Sequence, residues 1–473
     1  RGMHMTGAMH LRTKQPTDFA DQLLRDEPAL LSSLDFGEHV KQGRGKGPSL
    51  LIGDQSEIPL LANDADGFLE QRMALLARPG DIVLVRERDP DFERYLSRYL
   101  GISGVTFVTG NADDAGPLAQ QARTSDRLLQ LCIDTARKSG GLTINAYLTT
   151  GHIWRLAQTI GDRAACTVHV SGPSPRVVRR ANNKLWFAQL ARQVIGRHAT
   201  PPTMAAFGPA SAAGLVRRLA AKNTSVVVKV PNSAGSAGNI RLDSASVDRM
   251  NLRALRSFLQ ERLLATGWDN TYPILVGVWD DHVVCSPSAQ LWIPAASDGP
   301  PTVDGIFEQR VKGRAAGFVG GVPSDLPDRI QQQLRHEASR IATALQHLGY
   351  FGRCSLDAVL CHDGQAGPQI HWIECNGRWG GVSIPMTASR QLTGNTPAIA
   401  IAQEVLPTVQ ITTSAVLQVL GDLLFDITRR PAGIIMASPA RRGRGTLLNL
   451  IAVADTQITA DHALKEAVAR VSG

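Results

Sequence analysis

The chain has 473 residues, 43% hydrophobic and 19% charged, and a formal net charge of +8 carried almost wholly by arginine, since only nine lysines occur. This is the composition of a globular protein long enough for about three domains, with no apolar run long enough for a membrane span and no signal-peptide pattern at the start. The arginines are scattered without interleaved aromatics, which points away from nucleic acid, and six cysteines without CxxC or Cys/His metal spacing point to reduced thiols in the cytoplasm.

Residues 1–47 read as a leader. RGMHMTGAMH looks like a tag remnant, a helix is expected near Asp18 to Leu34, and KQGRGKG lacks GxxxxGK[ST] spacing and reads as a mobile surface loop. Over 48–180, short apolar runs (SLLIG, DIVLVRE, GVTFVTG) alternate with amphipathic stretches such as Gly67 to Arg78, the signature of an α/β domain with a parallel sheet. No GxGxxG follows these strands, so the domain is expected to shape a substrate site or a dimer contact.

Asn182 to Gly196 predicts a helix capped by Asn182 or Asn183, with Lys184 in its first turn, where a positive charge opposes the helix dipole and an anionic ligand would rationalise it. SVVVKVPNSAGSAGN then delivers Lys229 from a strand into a glycine loop able to fold backbone N–H groups over phosphates. An amphipathic helix from Met250 to Leu264 precedes two strands joined by a tight Asp280-Asp281 turn. Arg310, Lys312 and Arg314 cluster in a glycine-rich loop that could close over anionic groups. Arg329 to Leu348 predicts a long helix, and the residues past 410 a small C-terminal α+β unit.

RCSLDAVLC and IHWIECNGRWGG read as two strands joined by HDGQAGPQ. Pairing Cys361 with Ile370 places Asp357 directly opposite Glu374, and Asn376 shares the face of Glu374 because strand side chains alternate. Asp357, Glu374 and Asn376 are hard oxygen ligands suited to magnesium on a nucleotide, and Arg378 can hold an anion with its fork.

In this order, a helix-start lysine, a strand lysine, a glycine loop and an Asp…Glu-x-Asn hairpin followed by arginine resemble the ATP-grasp superfamily of carboxylate–amine ligases over about 181–405, after a domain that resembles its pre-ATP-grasp domain. The resemblance implies an α/β and α+β fold: the domain 48–180, ATP-grasp subdomains at about 181–278 and 279–410, and the unit 411–473. It implies ATP and Mg2+, with Lys184, Lys229, Ser233, Gly235, Ser236 and Gly238 at the nucleotide and backbone around Val276 and Val278 reading adenine. The family's usual hinge acid is replaced by Gly277, and Asp280 or Asp281 is left for the ribose. Asp357, Glu374 and Asn376 would hold the metal, and Arg378, aided by Arg310, would steady the transferring phosphoryl group. Arg353, Gly380, Gly381 and Ser383 would meet the substrate. The implied reaction activates a small amino-acid-like carboxylate as an acyl phosphate and joins it to the amine of an amino acid or peptide, as in peptide antibiotic biosynthesis. A regulatory protein binding nucleotide without turnover is the alternative. Partners would be small molecules, with no membrane or nucleic acid, and a homodimer is the default assembly.

Overall fold

The short apolar runs of the first third become parallel strands, the inner ones buried on both faces. In this computed structural model the structure describes residues 13–31, 34–61, 69–111, 113–234, 236–313, 317–363, 367–407, 409–429, 432–442 and 445–473. Val40–Gln42 (β1), Ser49–Ile52 (β2), Ile82–Val85 (β3), Thr106–Thr109 (β4), Leu142–Ala146 (β5) and Val168–Val170 (β6) form one sheet in the order β1-β6-β5-β2-β3-β4. Leu50, Ile52, Ile82 and Leu84 face a core shared with the helices Asp126–Ser139 and Gly151–Ala164, while Leu51, Val83 and Val85 face a second core. Burial on both sides is why such strands read as unbroken apolar runs. The chain runs from β2 outward through β3 to β4 and returns to β5 on the other side. The switch between β2 and β5 is where open α/β sheets hold ligands, at the carboxyl ends of the strands.

Two early expectations change. Within the stretch 67–78, Leu69–Leu76 is not amphipathic at a surface but a 3-10 helix buried on every side. Its Arg72 donates Nε to the Leu69 carbonyl and Nη1 to Gln403 Oε1, both at 3.0 Å, so polar residues that suggest a solvent face instead bridge two parts of the chain. KQGRGKG is pinned rather than loose. Gly43 N donates to the Val170 carbonyl at 2.9 Å and Gly45 N to Thr143 Oγ1 at 3.0 Å, and a Cβ on Gly45 would lie 2.5 Å from the His169 ring.

Thr203–Ala206 (β7), Ser225–Lys229 (β8), Asn239–Asp243 (β9) and Ile274–Val278 (β10) make a second, antiparallel sheet in the order β7-β10-β8-β9. The largest sheet contains Val283–Cys285 (β11), Pro287–Ile293 (β12), Thr302–Lys312 (β13), Gly317–Pro323 (β14), Gly352–Asp363 (β15), Gly367–Asn376 (β16), Ala398–Leu406 (β17), Gly433–Met436 (β18), Arg441–Arg442 (β19) and Thr446–Ala454 (β20). The strands of the C-terminal α+β unit therefore continue this sheet: β20 pairs along all of β17, and β17 pairs with β14. Ile399, Ile401, Leu450 and Ile451 share one core with Leu51 and Val83 of the first sheet.

The β15–β16 hairpin brings Asp357 opposite Glu374 as expected, though by a different route. At the turn end Cys361 pairs with Gln369 and Leu360 with Ile370, one position off the expected register. A β-bulge then lets Ala358 pair with Trp372 and Asp357 with Glu374, leaving Ile373 as the extra residue. The reason is side-chain phase. Ile370, Trp372 and Cys375 all belong in the core against the helix Asp328–His347, and residues 372 and 375 cannot share a face in a regular strand. The bulge turns the strand between them and re-aims Glu374.

Trp372 anchors this arrangement, with its indole N–H donated to Glu337 Oε2 at 2.7 Å and its ring buried. Replacing it by alanine is expected to lower unfolding stability by about 3–5 kcal/mol, read as a shifted urea midpoint, because it opens a large cavity and strands the buried Glu337 oxygen.

Candidate functional site

Two of the sheets face each other across a cleft of about 450 Å³ lined by Lys184, Lys229, Ser236, Asp280, Asp357 and Glu374. The crossing from β10 into the large sheet passes through Trp279–Asp281. The helix Lys184–Val194 is capped by Asn183, whose Oδ1 accepts from the N–H groups of Leu185 and Trp186. That start buries Lys184 and brings its Nζ to 3.1 Å from Glu374 Oε2, with a second bond to the Ser233 carbonyl. Lys229, at the end of β8, reaches the same space, with Trp279 beside it at 5.9 Å to the ring centroid.

Charge is concentrated here. Asp357 Oδ1 accepts from Ser288 Oγ at 2.6 Å and Oδ2 from Asn376 Nδ2 at 2.8 Å. Burial, and after it the neighbouring Glu374, push the Asp357 carboxyl up to about 6 against hydrogen bonds from Ser288 and Gln309. Burial would raise Glu374 as well, but Lys184, Lys229 and Arg378 hold its carboxyl below the usual range. Burial pulls Lys229 down to about 8, with Lys184 adding to the effect and Glu374 and Asp280 opposing it.

Asn182 does not cap the helix. Its Oδ1 accepts from Gly377 N at 2.9 Å and from Arg378 Nη1 at 3.2 Å, so the segment leading into the helix also fixes the arginine after the hairpin. Arg378 Nε is buried without a partner. Below Arg378 a smaller cavity of about 300 Å³ opens at the carboxyl ends of β2 and β5. Glu57, Thr150, Arg179 and Asn182 line it, and Thr150 Oγ1 donates to Glu57 Oε2 at 2.5 Å. Burial, against that bond, raises the Glu57 carboxyl. Neither Glu57 nor Arg179 stands in a motif, and only the topological switch point in the sheet could have singled out their neighbourhood.

The structure separates other candidates from the cleft. Arg310 lies between Gln309 and Val311 on β13, both of which line the cleft, so strand alternation sends it to the other face, where it pairs with Asp461 at 3.2 Å. Val276 sits in the middle of its sheet, paired on both sides and buried, which leaves it no free edge for adenine; Val278 lines the cleft but donates its N–H to the Pro202 carbonyl at 2.9 Å. Ser383 is buried and accepts the Gly380 N–H at 2.8 Å at the start of a helix, which leaves it no exposed surface for a substrate. Gly381 meets protein: a Cβ there would lie 2.7 Å from the Phe318 ring. Arg353 lines a separate cavity. In the glycine loop, Ser236 reaches the cleft, Ser233 donates Oγ to the Val230 carbonyl, and Gly238 has φ +73 with Leu60 and Val230 packed against it. Gly235 and Arg314 lie outside the described residues. His371 binds the Asp280 carboxylate at 2.9 Å, which occupies one of the two acids expected at a ribose.

Residues 70–161 match the family described as the Pre ATP-grasp domain. A comparison with curated proteins finds no significant match. Among solved structures, the biotin carboxylase domain of the 2-oxoglutarate carboxylase of Hydrogenobacter thermophilus shares 12% identity at TM-score 0.55, over 90% of each chain. The biotin carboxylase of Campylobacter jejuni also shares 12% identity at TM-score 0.55, over 90% of this chain and 92% of its own. The N5-carboxyaminoimidazole ribonucleotide synthetase of Thermus thermophilus shares 14% at TM-score 0.52, over 90% and 97%. Residues 70–161 thus match the pre-ATP-grasp domain model within a mixed α/β architecture, and the chain shares its fold with these solved structures.

The Lys184–Glu374 pair is mostly shielded from solvent, so removing one partner leaves the other charge poorly compensated. Lys184→Met is expected to cost about 3 kcal/mol in urea unfolding, and Lys184→Met/Glu374→Gln to recover part of that loss, giving a non-zero coupling energy in the double-mutant cycle.

Proposed function

We propose that the chain is an ADP-forming, ATP-dependent carboxylate–amine ligase that makes an amide between an amino-acid-like donor and the amine of an amino acid or peptide. The observation that carries this reading is that Glu374 alone, among the described residues, lines both the larger cleft and the smaller cavity. A nucleotide's terminal phosphate in one space and a carboxylate in the other would meet beside it. The fold it shares is that of a Hydrogenobacter protein solved with MgADP and bicarbonate and a Campylobacter protein solved with an ATP analogue.

On this reading Lys184 and Lys229 bind the phosphates and the loop around Ser236 covers them. Asp357, Glu374 and Asn376 form an all-oxygen donor set in which burial, and after it the opposing Glu374, raise Asp357, and a divalent cation relieves the repulsion between the two carboxylates. Magnesium held there would supply charge neutralisation on the phosphates. Arg378, steadied by Asn182, offers its unpartnered Nε to the phosphoryl group as it moves to the donor carboxylate. The amine then attacks the acyl carbon, the bond to the phosphate oxygen breaks, and phosphate leaves with that electron pair. Glu57 and Arg179 present a carboxylate and a guanidinium in the cavity beyond, complementary to the ammonium and carboxylate of an amino acid or peptide.

The division into a pre-ATP-grasp domain over 48–180, an ATP-grasp domain over 181–410 and a C-terminal unit over 411–473 fits this assignment of parts. That layout resembles the peptide ligase of pheganomycin biosynthesis, which favours a peptide acceptor.

A donor-by-acceptor screen reading phosphate is expected to give ADP and phosphate only with both partners present, with an amide in the product mass; AMP and pyrophosphate would overturn the reading, and magnesium–ATP binding without turnover across the panel would favour the regulatory one. Glu374→Ala is expected to lower kcat at least about 10²-fold. Glu57→Gln is expected to raise the acceptor KM about tenfold with little change in kcat, since a charged hydrogen bond made equally in ground and transition states is lost. Affinity for magnesium–ATP, followed by calorimetry, should fall as pH drops through about 6, because protonated Asp357 carries no negative charge for the cation.

A further inference from the structure

Away from the carboxyl-end cavity, the amino ends of β2, β3 and β5 border another cavity, of about 860 Å³, closed on its far side by Trp292, Arg353 and Trp379. It shares no lining residue with the two cavities that meet at Glu374. Four basic side chains, Arg44, Arg78, Lys138 and Arg353, face two carboxylates there, Asp81 and Asp304. Both acids are engaged: Asp81 accepts the N–H groups of Ser49 and Arg78 at 2.8 Å each, and Asp304 pairs with Arg353.

The arginines come from distant parts of the chain onto one ring. The Arg44 and Arg353 guanidiniums lie 4.4 and 5.4 Å from the Trp292 centroid, and Arg353 lies 5.6 Å from that of Trp379. Arg353 Nε is buried with no hydrogen-bond partner. Burial, and after it the charges of Arg353 and Arg78, bring Arg44 down to about 10. Arg44 arrives there on KQGRGKG, whose glycines let the loop lie flat against His169 and Gly141. An oxyanion between the two guanidiniums would remove the repulsion and satisfy the orphan donor, and a space of this size admits a whole small molecule.

We propose that this cavity binds a small molecule bearing a carboxylate or phosphate group, held between Arg44 and Arg353 with its body against Trp292, at a place separate from the reaction site. The test is calorimetric titration of the full chain with inorganic phosphate and, separately, with succinate, at constant ionic strength set by sodium chloride. Saturable binding of at least one probe is expected, and the probe preferred separates a phosphate ester from a carboxylate as the natural ligand. Arg44→Gln should weaken that binding at least tenfold, Arg44→Lys by less, and Arg378→Ala should leave it unchanged, which distinguishes this cavity from a phosphate position at Glu374. Lys138→Gln, a change at an exposed residue, should weaken it about threefold without shifting the melting temperature. No saturable binding of either probe, or equal affinity in Arg44→Gln and the parent chain, overturns the proposal and leaves the arginines as a clamp between domains. None of these readouts depends on ligase turnover.

Discussion

Two carboxylates directly opposite on neighbouring strands repel each other, and the rest of the site is built to tolerate that. Asp357 is eased by hydrogen bonds from Ser288 and Asn376, whereas Glu374 is held by positive charge. The cations come from a helix start, the end of β8 and the turn after β16, so the charge balance closes only when three separate elements are in place. Asn182 ties two of these together: it precedes the helix that supplies Lys184 and holds the backbone that supplies Arg378. The pair is therefore less a local feature of one hairpin than the place where the fold's assembly is registered.

How much of this was legible follows from how local each cause is. Lys184, Lys229 and the Asp357/Glu374/Asn376 set are residue types carried on elements whose periodicity is visible in short windows, and the structure brings Lys184, Lys229, Asp357 and Glu374 into one cleft, with Asn376 lining the adjoining smaller cavity. The bulge at Ile373 was hidden because it answers to Trp372 and Glu337, and the latter lies on a helix whose packing no window of the hairpin contains. Arg310 misled because a cluster of basic residues says nothing about which face each one takes; its neighbours Gln309 and Val311 are the ones turned inward. Ser383 and Gly381 follow the β15–β16 hairpin so closely that proximity suggests chemistry, yet one is buried accepting the Gly380 N–H and the other makes room for Phe318. Glu57 left no trace at all, since an isolated acid in a loop gains meaning only from the strand order around it.

The glycine-basic run near the start shows the converse error. Without phosphate-loop spacing the run looks mobile, but the absence of one motif does not imply the absence of order. Hydrogen bonds to Val170 and Thr143 hold the run in place, and that rigidity is what aims Arg44 at Trp292.

The shared core between the first and last strands also sets a constraint in time. Leu51 and Val83 share a core with Ile399, Leu450 and Ile451, which follow roughly 320–400 positions later in the chain. At a synthesis rate of about 5–20 residues per second, that core stays incomplete for roughly 16–80 s while the remainder emerges from the ribosome. For that interval the nascent chain holds an apolar core without its last partners, so the first sheet reaches its final stability only when the last strands have been made.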